Sequence, residues 1–225
     1  MRNVAICLGF LSAIVAPPTL AQDRIFKCAN EYTNSVSLAG ANNCREIAHT
    51  PPASSRAQAV EVVNAPRTFN ITAPPNWVPG PLETGNTRVA FTSRKTTPHA
   101  ECAVTAIIFR GERATQEQLN ASLKNSPSKE EAKVGLQGYN NVKVVSVSKG
   151  QLSGYPSQVI KFTFSVGTPE GERWGVMTSS TTVTEPNVSW AVGCGGFGKT
   201  LTDAQASYSY WQVEINNFPT TLKIR

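Results

Sequence analysis

The sequence predicts an α+β protein built around a largely antiparallel sheet, with a small cysteine-bracketed β segment in front of it. From residue 141 to residue 194, runs with strand composition follow one another with no room for a helix between them. A parallel doubly wound sheet would need a helix after each strand. The helical patterns lie outside this block, at 114–136 and 203–218. The order is therefore that of a strand meander with helices gathered on its outside.

The chain begins with the pattern of a secretory signal peptide. Arg2 supplies a positive charge, Val4 to Val15 is an uncharged apolar stretch, and Ala21 is the small residue that a cleavage site requires. The apolar run is too short to span about 30 Å of hydrocarbon, and two prolines follow it. We expect residues 1–21 to be removed and the mature protein, without a transmembrane segment, to be periplasmic or secreted.

The mature chain keeps four of the five cysteines. An even number in an exported chain indicates disulfides, and four cysteines allow three pairings. Their grouping along the chain favours Cys28–Cys44 and Cys102–Cys194. The cysteine spacings do not match those of a zinc site, and the two histidines are isolated. We therefore expect neither a metal nor a cofactor.

Composition divides the mature chain into three parts. Residues 22–47 form the small β segment, and residues 48–66, rich in Ala, Ser and Pro, are interpreted as a linker. Residues 67–225 form a domain with its own core. Loss of Arg2 lowers the formal net charge from +6 to +5, and the Lys and Arg residues are scattered without a run of four. This pattern does not indicate nucleic-acid binding.

The elements of the domain follow from hydrophobic periodicity. A turn at 74–80 follows the first strand, and a hairpin turn is predicted at 167–171. Helical patterns cover 114–124 and 130–136, and the last helix, 203–218, is amphipathic. Its apolar face carries Tyr208, Trp211, Ile215 and Phe218. Strand patterns cover 68–73, 88–93, 101–109, 142–147, 158–165, 174–183 and 188–194.

A glycine-rich motif lies near the end of the chain. Gly193 to Thr200 matches the phosphate-binding loop G-x-x-x-x-G-K-[ST]. A nucleotide hydrolase of this class holds Mg²⁺ partly through an Asp at the end of a buried strand, but the chain has only Asp23 and Asp203. Too little chain follows Thr200 for the rest of a parallel sheet. We interpret the motif as a strand end, a glycine turn and a helix start, with Lys199 solvated; nucleotide binding is a remote alternative.

Catalytic constellations are not evident. A Ser-His-Asp triad would have to use His49, in the linker, or His99, at a strand entry where a hydrogen-bonded surface histidine is common. The serine-rich run 178–185 is interpreted as the solvent face of a strand. We expect no enzyme activity and no catalytic residues. The alternative is a cell-envelope hydrolase whose catalytic glutamates the sequence does not single out.

The tryptophans are expected to pack in the core, because all four lie in or beside apolar patterns. Trp77 is the exception, since a proline-flanked turn can leave its ring exposed. It is the residue that we predict as a partner surface.

Residues 67–225 resemble the PsbP/Mog-like family. The resemblance lies in a P-x-x-W turn (Pro74 to Trp77), a G-x-P-x-x-x-I strand (Gly154 to Ile160) and a closing helix that ends on Phe218. It implies an α/β/α sandwich around an antiparallel sheet. Members are accessory or binding proteins, including photosystem subunits, a Ran-binding nuclear transport factor and bacterial envelope proteins. They share no catalytic residues.

The first segment is similar to a small domain of unknown function found near the start of exported proteobacterial proteins. Ile25-Phe26-Lys27-Cys28 and Cys44 match its pattern, whereas the hairpin at 34–38 lacks the usual glycine and aromatic residue. This resemblance implies a Gram-negative periplasm. Together, these observations predict a non-catalytic accessory or binding protein whose partner is another envelope protein or an envelope component.

Overall fold

The structure, a computed structural model, describes residues 26–28, 31–33, 40, 44–46, 67–81, 86–108, 115–124 and 128–225. The predicted signal peptide and the predicted linker lie outside these residues. The described residues form two antiparallel sheets with helices packed against them. The predicted α+β class with antiparallel sheets is therefore confirmed.

The elements are numbered in chain order. The helices are α1 (Gln116–Lys124), α2 (Lys129–Val134), α3 (Leu201–Tyr210) and α4 (Gln212–Asn217), and a 3₁₀ turn follows at Phe218–Thr221. The strands are β1 (Phe26–Cys28), β2 (Glu31–Thr33), β3 (Arg45–Glu46), β4 (Phe69–Thr72), β5 (Trp77–Pro79), β6 (Thr87–Ser93), β7 (His99–Ile108), β8 (Asn140–Leu152), β9 (Tyr155–Thr168), β10 (Gly171–Glu185), β11 (Val188–Gly198) and β12 (Lys223–Ile224).

The larger sheet has the strand order β5-β6-β7-β11-β10-β9-β8. Its strands β8 to β11 extend beyond the predicted boundaries, because tight turns connect them. Ser153 and Gly154, between β8 and β9, have φ values of 54° and 83°, the left-handed region that glycine adopts readily. The turn between β9 and β10 falls at residues 169–170, inside the predicted hairpin turn.

The smaller sheet has the order β12-β4-β2-β1-β3. Strand β2, in the N-terminal segment, pairs with β4, and β4 also pairs with β12 near the end of the chain. Tyr32 of β2 packs against Phe91 of β6 with ring centroids 4.7 Å apart. The cysteine-bracketed segment thus shares a sheet and a core with the strands that follow the predicted linker.

One face of the larger sheet is covered by the smaller sheet, α3 and α4; we call it the closed face. Trp190, Val192 and Cys194 point to this face from β11 and are fully buried. Phe69 of the smaller sheet packs edge-on against Trp190, with centroids 5.5 Å apart. Such aromatic pairs add to the burial of apolar area that holds the two sheets together.

Both favoured disulfides are present. Cys102 and Cys194 lie directly opposite each other in β7 and β11, and their disulfide lies on the closed face. Cys28 is joined to Cys44, which precedes β3. The first disulfide therefore links two strands of the larger sheet, and the second links β1 to the residue before β3 in the smaller sheet.

The opposite face of the larger sheet, called the open face, carries a smaller aromatic cluster. Ala132 of α2 and nearby Leu136 pack there against Phe162, Phe164 and Phe197. The larger sheet thus lies between α2 on one side and α3 on the other. The smaller sheet adds a layer that the family resemblance does not imply.

The predicted glycine turn after residue 194 is wrong, because β11 continues to Gly198. A Cβ at Gly196 would meet the backbone of Tyr208, so glycine is required where α3 lies against the strand. Helix α3 begins at Leu201 with Thr200 as its N-cap. The Thr200 hydroxyl accepts a hydrogen bond from the Asp203 amide at 3.2 Å, and the Asp203 carboxylate accepts one from the Thr200 amide at 3.1 Å. This capping box replaces the helix start predicted at Asp203.

Two further predictions need correction. The closing helix is interrupted at Trp211, although Tyr208, Ile215 and Phe218 are buried as predicted. The run 178–185 is not a solvent face, because Thr182 is among its buried residues. Its strand, β10, is central in the sheet, with β9 on one side and β11 on the other.

Candidate functional site

A cavity of about 160 Å³ lies on the open face, beside the aromatic cluster. Its position follows from a row of small residues that crosses three strands. Ala103 of β7 lies opposite Ala90 of β6 on one side and Gly193 of β11 on the other. Small side chains at these positions leave the sheet without the cover that larger ones would give. The row therefore forms the floor of the cavity.

Aromatic rings and a thioether form one wall. Phe164, Phe197, Tyr139 and Met177 all line the cavity. Tyr139 and Phe164 have centroids 4.3 Å apart, and Phe164 meets Phe197 nearly at right angles. The wall is close-packed at Gly175, where a Cβ would lie 2.5 Å from the Phe164 ring. The wall is thus apolar and firmly held.

Three polar side chains meet at the edge of the cavity, which Glu101 and Arg173 line. Glu101 Oε1 accepts hydrogen bonds from Arg173 Nη2 and His99 Nε2, each at 2.8 Å. The Arg173 guanidinium also lies 4.2 Å from the centroid of the Phe197 ring, within the range of cation–π attraction. These three residues, His99, Glu101 and Arg173, are called the rim cluster below.

The partners of Glu101 stabilise its ionised form. Burial acts to raise the pKa of Glu101, but the hydrogen bonds and charges of His99 and Arg173 outweigh it and hold the pKa below its ordinary value. Glu101 is therefore ionised at neutral pH and compensates the charge of Arg173. An ionised carboxylate accepts hydrogen bonds and cannot donate a proton.

His99 has the hydrogen-bonded position at a strand entry that the sequence predicts. Its Nε2 faces Glu101, and its Nδ1 lies 3.3 Å from the carbonyl oxygen of Lys95. The shorter of these contacts is a hydrogen bond that the Glu101 carboxylate accepts from the ring N–H at Nε2. This bond orients the His99 ring toward Glu101.

Trp77, the predicted partner surface, is only 6% exposed. It belongs to strand β5, opposite Ser93 of β6, and its ring packs edge-on against Trp211 with centroids 5.5 Å apart. The prediction is wrong because the turn is shorter than expected and the residue after it joins the sheet. The ring packs in the core of the closed face.

The residues of the phosphate-loop motif have other roles. Gly193 to Gly198 lie in β11, between β7 and β10, so the ladders on both sides use their backbone amides. A phosphate cradle needs such amides unpaired and convergent. Lys199 is exposed, and the Thr200 hydroxyl caps α3. The geometry agrees with the interpretation of this motif as a structural element.

Sequence reasoning missed the rim cluster. Strand alternation places His99, Glu101 and Ala103 on one face of β7, a signal that could have grouped the first two. Arg173 lies 72 residues further along the chain, and local periodicity gives no information on its proximity. Only the register of β7, β11 and β10 brings it to Glu101.

The described part of the chain shows neither a metal-binding cluster nor a membrane-spanning helix. Within it, no group of three or more His, Cys, Asp or Glu side chains is arranged to bind a metal ion. None of the helices found there is long and apolar enough to cross a membrane.

Comparison with known proteins gave likenesses of structure only. No family model matches the sequence, and no curated protein does so either. The solution structure of cyanobacterial PsbP (CyanoP) from Synechocystis sp. PCC 6803 is similar over 70% of this chain and 86% of that one, with a TM-score of 0.43 and 10% identity. LpqN, involved in cell envelope biogenesis of Mycobacterium tuberculosis, is similar over 69% and 82%, with a TM-score of 0.43 and 8% identity.

At such scores and identities, neither structure indicates what this chain binds or does.

Proposed function

We propose that this chain is a non-catalytic binding or accessory protein of an extracytoplasmic compartment, and that it binds through the cavity on the open face. One observation carries the proposal. An apolar cavity floored by Ala103 and Gly193 opens beside a rim cluster whose charges compensate one another. A concave apolar site with a few convergent polar groups is the usual form of a binding site.

The rim cluster supports binding rather than hydrolysis. A glycoside hydrolase needs one carboxylic acid that stays protonated long enough to donate to the leaving group. Glu101, the one carboxylate among the described residues that line the cavity, is instead kept ionised by Arg173 and His99. Glu185, on the same strand as Arg173, is paired with Arg67 at 2.9 Å, and Asp203 is used in the capping box.

The disulfides support the proposed compartment. Structural disulfides form and persist in oxidising environments, and the structure contains two, Cys28–Cys44 and Cys102–Cys194. With the signal peptide predicted from residues 1–21, this supports export to the periplasm, where another envelope protein or an envelope component would be the partner.

Photo-crosslinking in cells tests the proposal. A photoreactive amino acid is placed at Thr92, which lies opposite Glu101 on the open face, in the full-length chain. The control carries it at Val213 of α4, which is 68% exposed. We expect adducts of discrete mass from Thr92 and only background from Val213.

Equal adduct formation at both positions, or none at Thr92, would contradict binding through the open face. In the same samples, thiol alkylation without reductant reports whether the four mature cysteines are paired. Free cysteines in the cell would contradict an oxidising compartment.

A further inference from the structure

The size of the cavity limits what it can hold. Its volume of about 160 Å³ is close to that of an engineered apolar cavity of about 150 Å³ that binds benzene. One aromatic ring therefore fills it. A larger molecule could place only one such group inside.

The wall suits an aromatic ring. Phe164 and Phe197 present ring surfaces, and Met177 adds a thioether, which packs well against aromatic groups. The floor residues Ala90, Ala103 and Gly193 carry no polar side-chain atom, so a ring can lie against them. The interior thus selects for an aromatic group over a polar one.

The rim cluster adds a requirement for hydrogen bonding. Both donors that reach Glu101 contact Oε1, and no donor from the described part of the chain contacts Oε2. Arg173 uses one N–H toward Glu101 and keeps others for an acceptor. A partly buried carboxylate oxygen is stabilised when a ligand donates a hydrogen bond to it. The rim therefore offers one acceptor and one donor side by side.

We propose that the cavity binds a small neutral aromatic amide, with its ring against Phe164, Phe197 and Met177, its N–H on Glu101 Oε2 and its carbonyl on Arg173. Attraction of a ligand carboxylate to Arg173 is offset by its repulsion from Glu101, and the reverse holds for a ligand ammonium. A neutral amide can donate to Glu101 and accept from Arg173 without either repulsion, which makes it the best match. This inference rests on the proposed binding function and specifies the chemistry of its ligand.

The chain supplies its own reporter for a test. Met1 and Met177 are the two methionines, and Met1 belongs to the predicted signal peptide. Exported, processed protein labelled with ¹³C-methyl methionine therefore carries one labelled methyl group, at the wall of the cavity. Benzamide, toluene, benzoate and benzylamine are titrated against this signal. They share a ring and differ in the polar group.

We expect benzamide to shift the Met177 signal saturably and to bind at least about tenfold more tightly than the other three, since a hydrogen bond to a charged group is worth about a tenfold change or more. Glu101→Gln should weaken benzamide binding by about tenfold. Glu185→Gln, which removes a carboxylate on the same strand but away from the cavity, should leave it unchanged.

Toluene, benzoate or benzylamine binding as tightly as benzamide would overturn the proposal, as would an E101Q variant that binds like the parent. A benzamide titration without any Met177 shift would also overturn it. If the Thr92 crosslink still forms in that case, the proposal of binding through the open face stands and only the proposed amide ligand is rejected. Loss of both would remove the proposed function as well.

Discussion

Strand β11 contributes to both faces of the larger sheet, and its two sides differ in what they do. On the closed face, Trp190, Val192 and Cys194 fill the core between the two sheets. On the open face, Gly193 and Ala103 leave a cavity edged by charged side chains. The same alternation of side chains thus separates the core-forming side of the strand from the side on which we propose that binding occurs. Substitutions that point to the closed face should change the free energy of unfolding, and those that point to the open face should mainly change binding.

The largest effect is expected from removing the disulfide of the closed face. Cys102→Ala with Cys194→Ala opens a link between residues 92 apart in sequence, and the expected loss in unfolding free energy is about 4 kcal/mol. Cys28→Ala with Cys44→Ala opens a link between residues 16 apart and should cost about 3 kcal/mol. Urea denaturation of the oxidised proteins measures both. A larger loss from the second pair would contradict the assignment of the main constraint to the closed face.

Two glycines of β11, one on each face, test the expected difference in stability between the faces. A Cβ at Gly196 would meet the backbone of Ser207 and Tyr208 in α3, which cannot rotate away, so Gly196→Ala should cost about 3 kcal/mol. A Cβ at Gly193 would lie 3.5 Å from Met177 Sδ, an ordinary contact. Gly193→Ala should change stability by less than about 1 kcal/mol. The melting temperatures of the two variants test this prediction. Similar losses of stability in both would contradict the expected difference between the faces.

The rim cluster should make a smaller, pH-dependent contribution. Because the folded-state pKa of Glu101 lies below its ordinary value of 4.5, its stabilisation is fully present above about pH 4.5 and is lost as the pH falls through the folded-state pKa. Glu101→Gln should cost about 1–2 kcal/mol at neutral pH and less in acid. Denaturation curves recorded across this pH range test it.

Glu185→Gln is the control for that prediction. Its pair with Arg67 is more exposed, so we expect a loss of less than about 1 kcal/mol. A loss in E101Q that stays the same at all pH values would contradict the role given to its charge.

Effects smaller than those at the disulfides and at Gly196 are expected at two helix caps, one on each face. Thr200 caps α3 on the closed face, and Ser128 caps α2 on the open face; both form a capping box. Replacing either with alanine should cost about 1 kcal/mol. Thr200→Ala should leave benzamide binding intact, because its helix lies on the opposite side of the sheet. A binding defect in T200A with normal stability would mean that the two faces are coupled.

Much of the fold was predictable because its signals are local. Alternation located β4, strand composition located β6, β7 and β8 to β11, and the glycines and proline at 167–171 marked the turn between β9 and β10. The apolar spacing of Tyr208, Ile215 and Phe218 identified the buried side of the closing helices. The exposed state predicted for Trp77 was wrong, because its burial depends on a strand pairing with β6 that local sequence does not encode.

The candidate site was far less predictable. Glu101 and His99 are two residues apart on one strand, but Arg173 comes from a strand 72 residues away. Ala90, Ala103 and Gly193 form a floor only because three strands pair in one register. Register between distant strands is set by the whole core, which no short window of sequence contains.

The sequence by itself determined where most strands of the domain lie along the chain, the hairpin turn between β9 and β10 and the favoured cysteine pairing, since these follow from local periodicity and from the grouping of residues along the chain. The tertiary structure alone decided that the N-terminal segment pairs with β4, that α3 lies against Gly196, and that the rim cluster meets over a row of small residues. The physical reason is the same in each case: these contacts join segments far apart in the chain, and their energies depend on long-range packing.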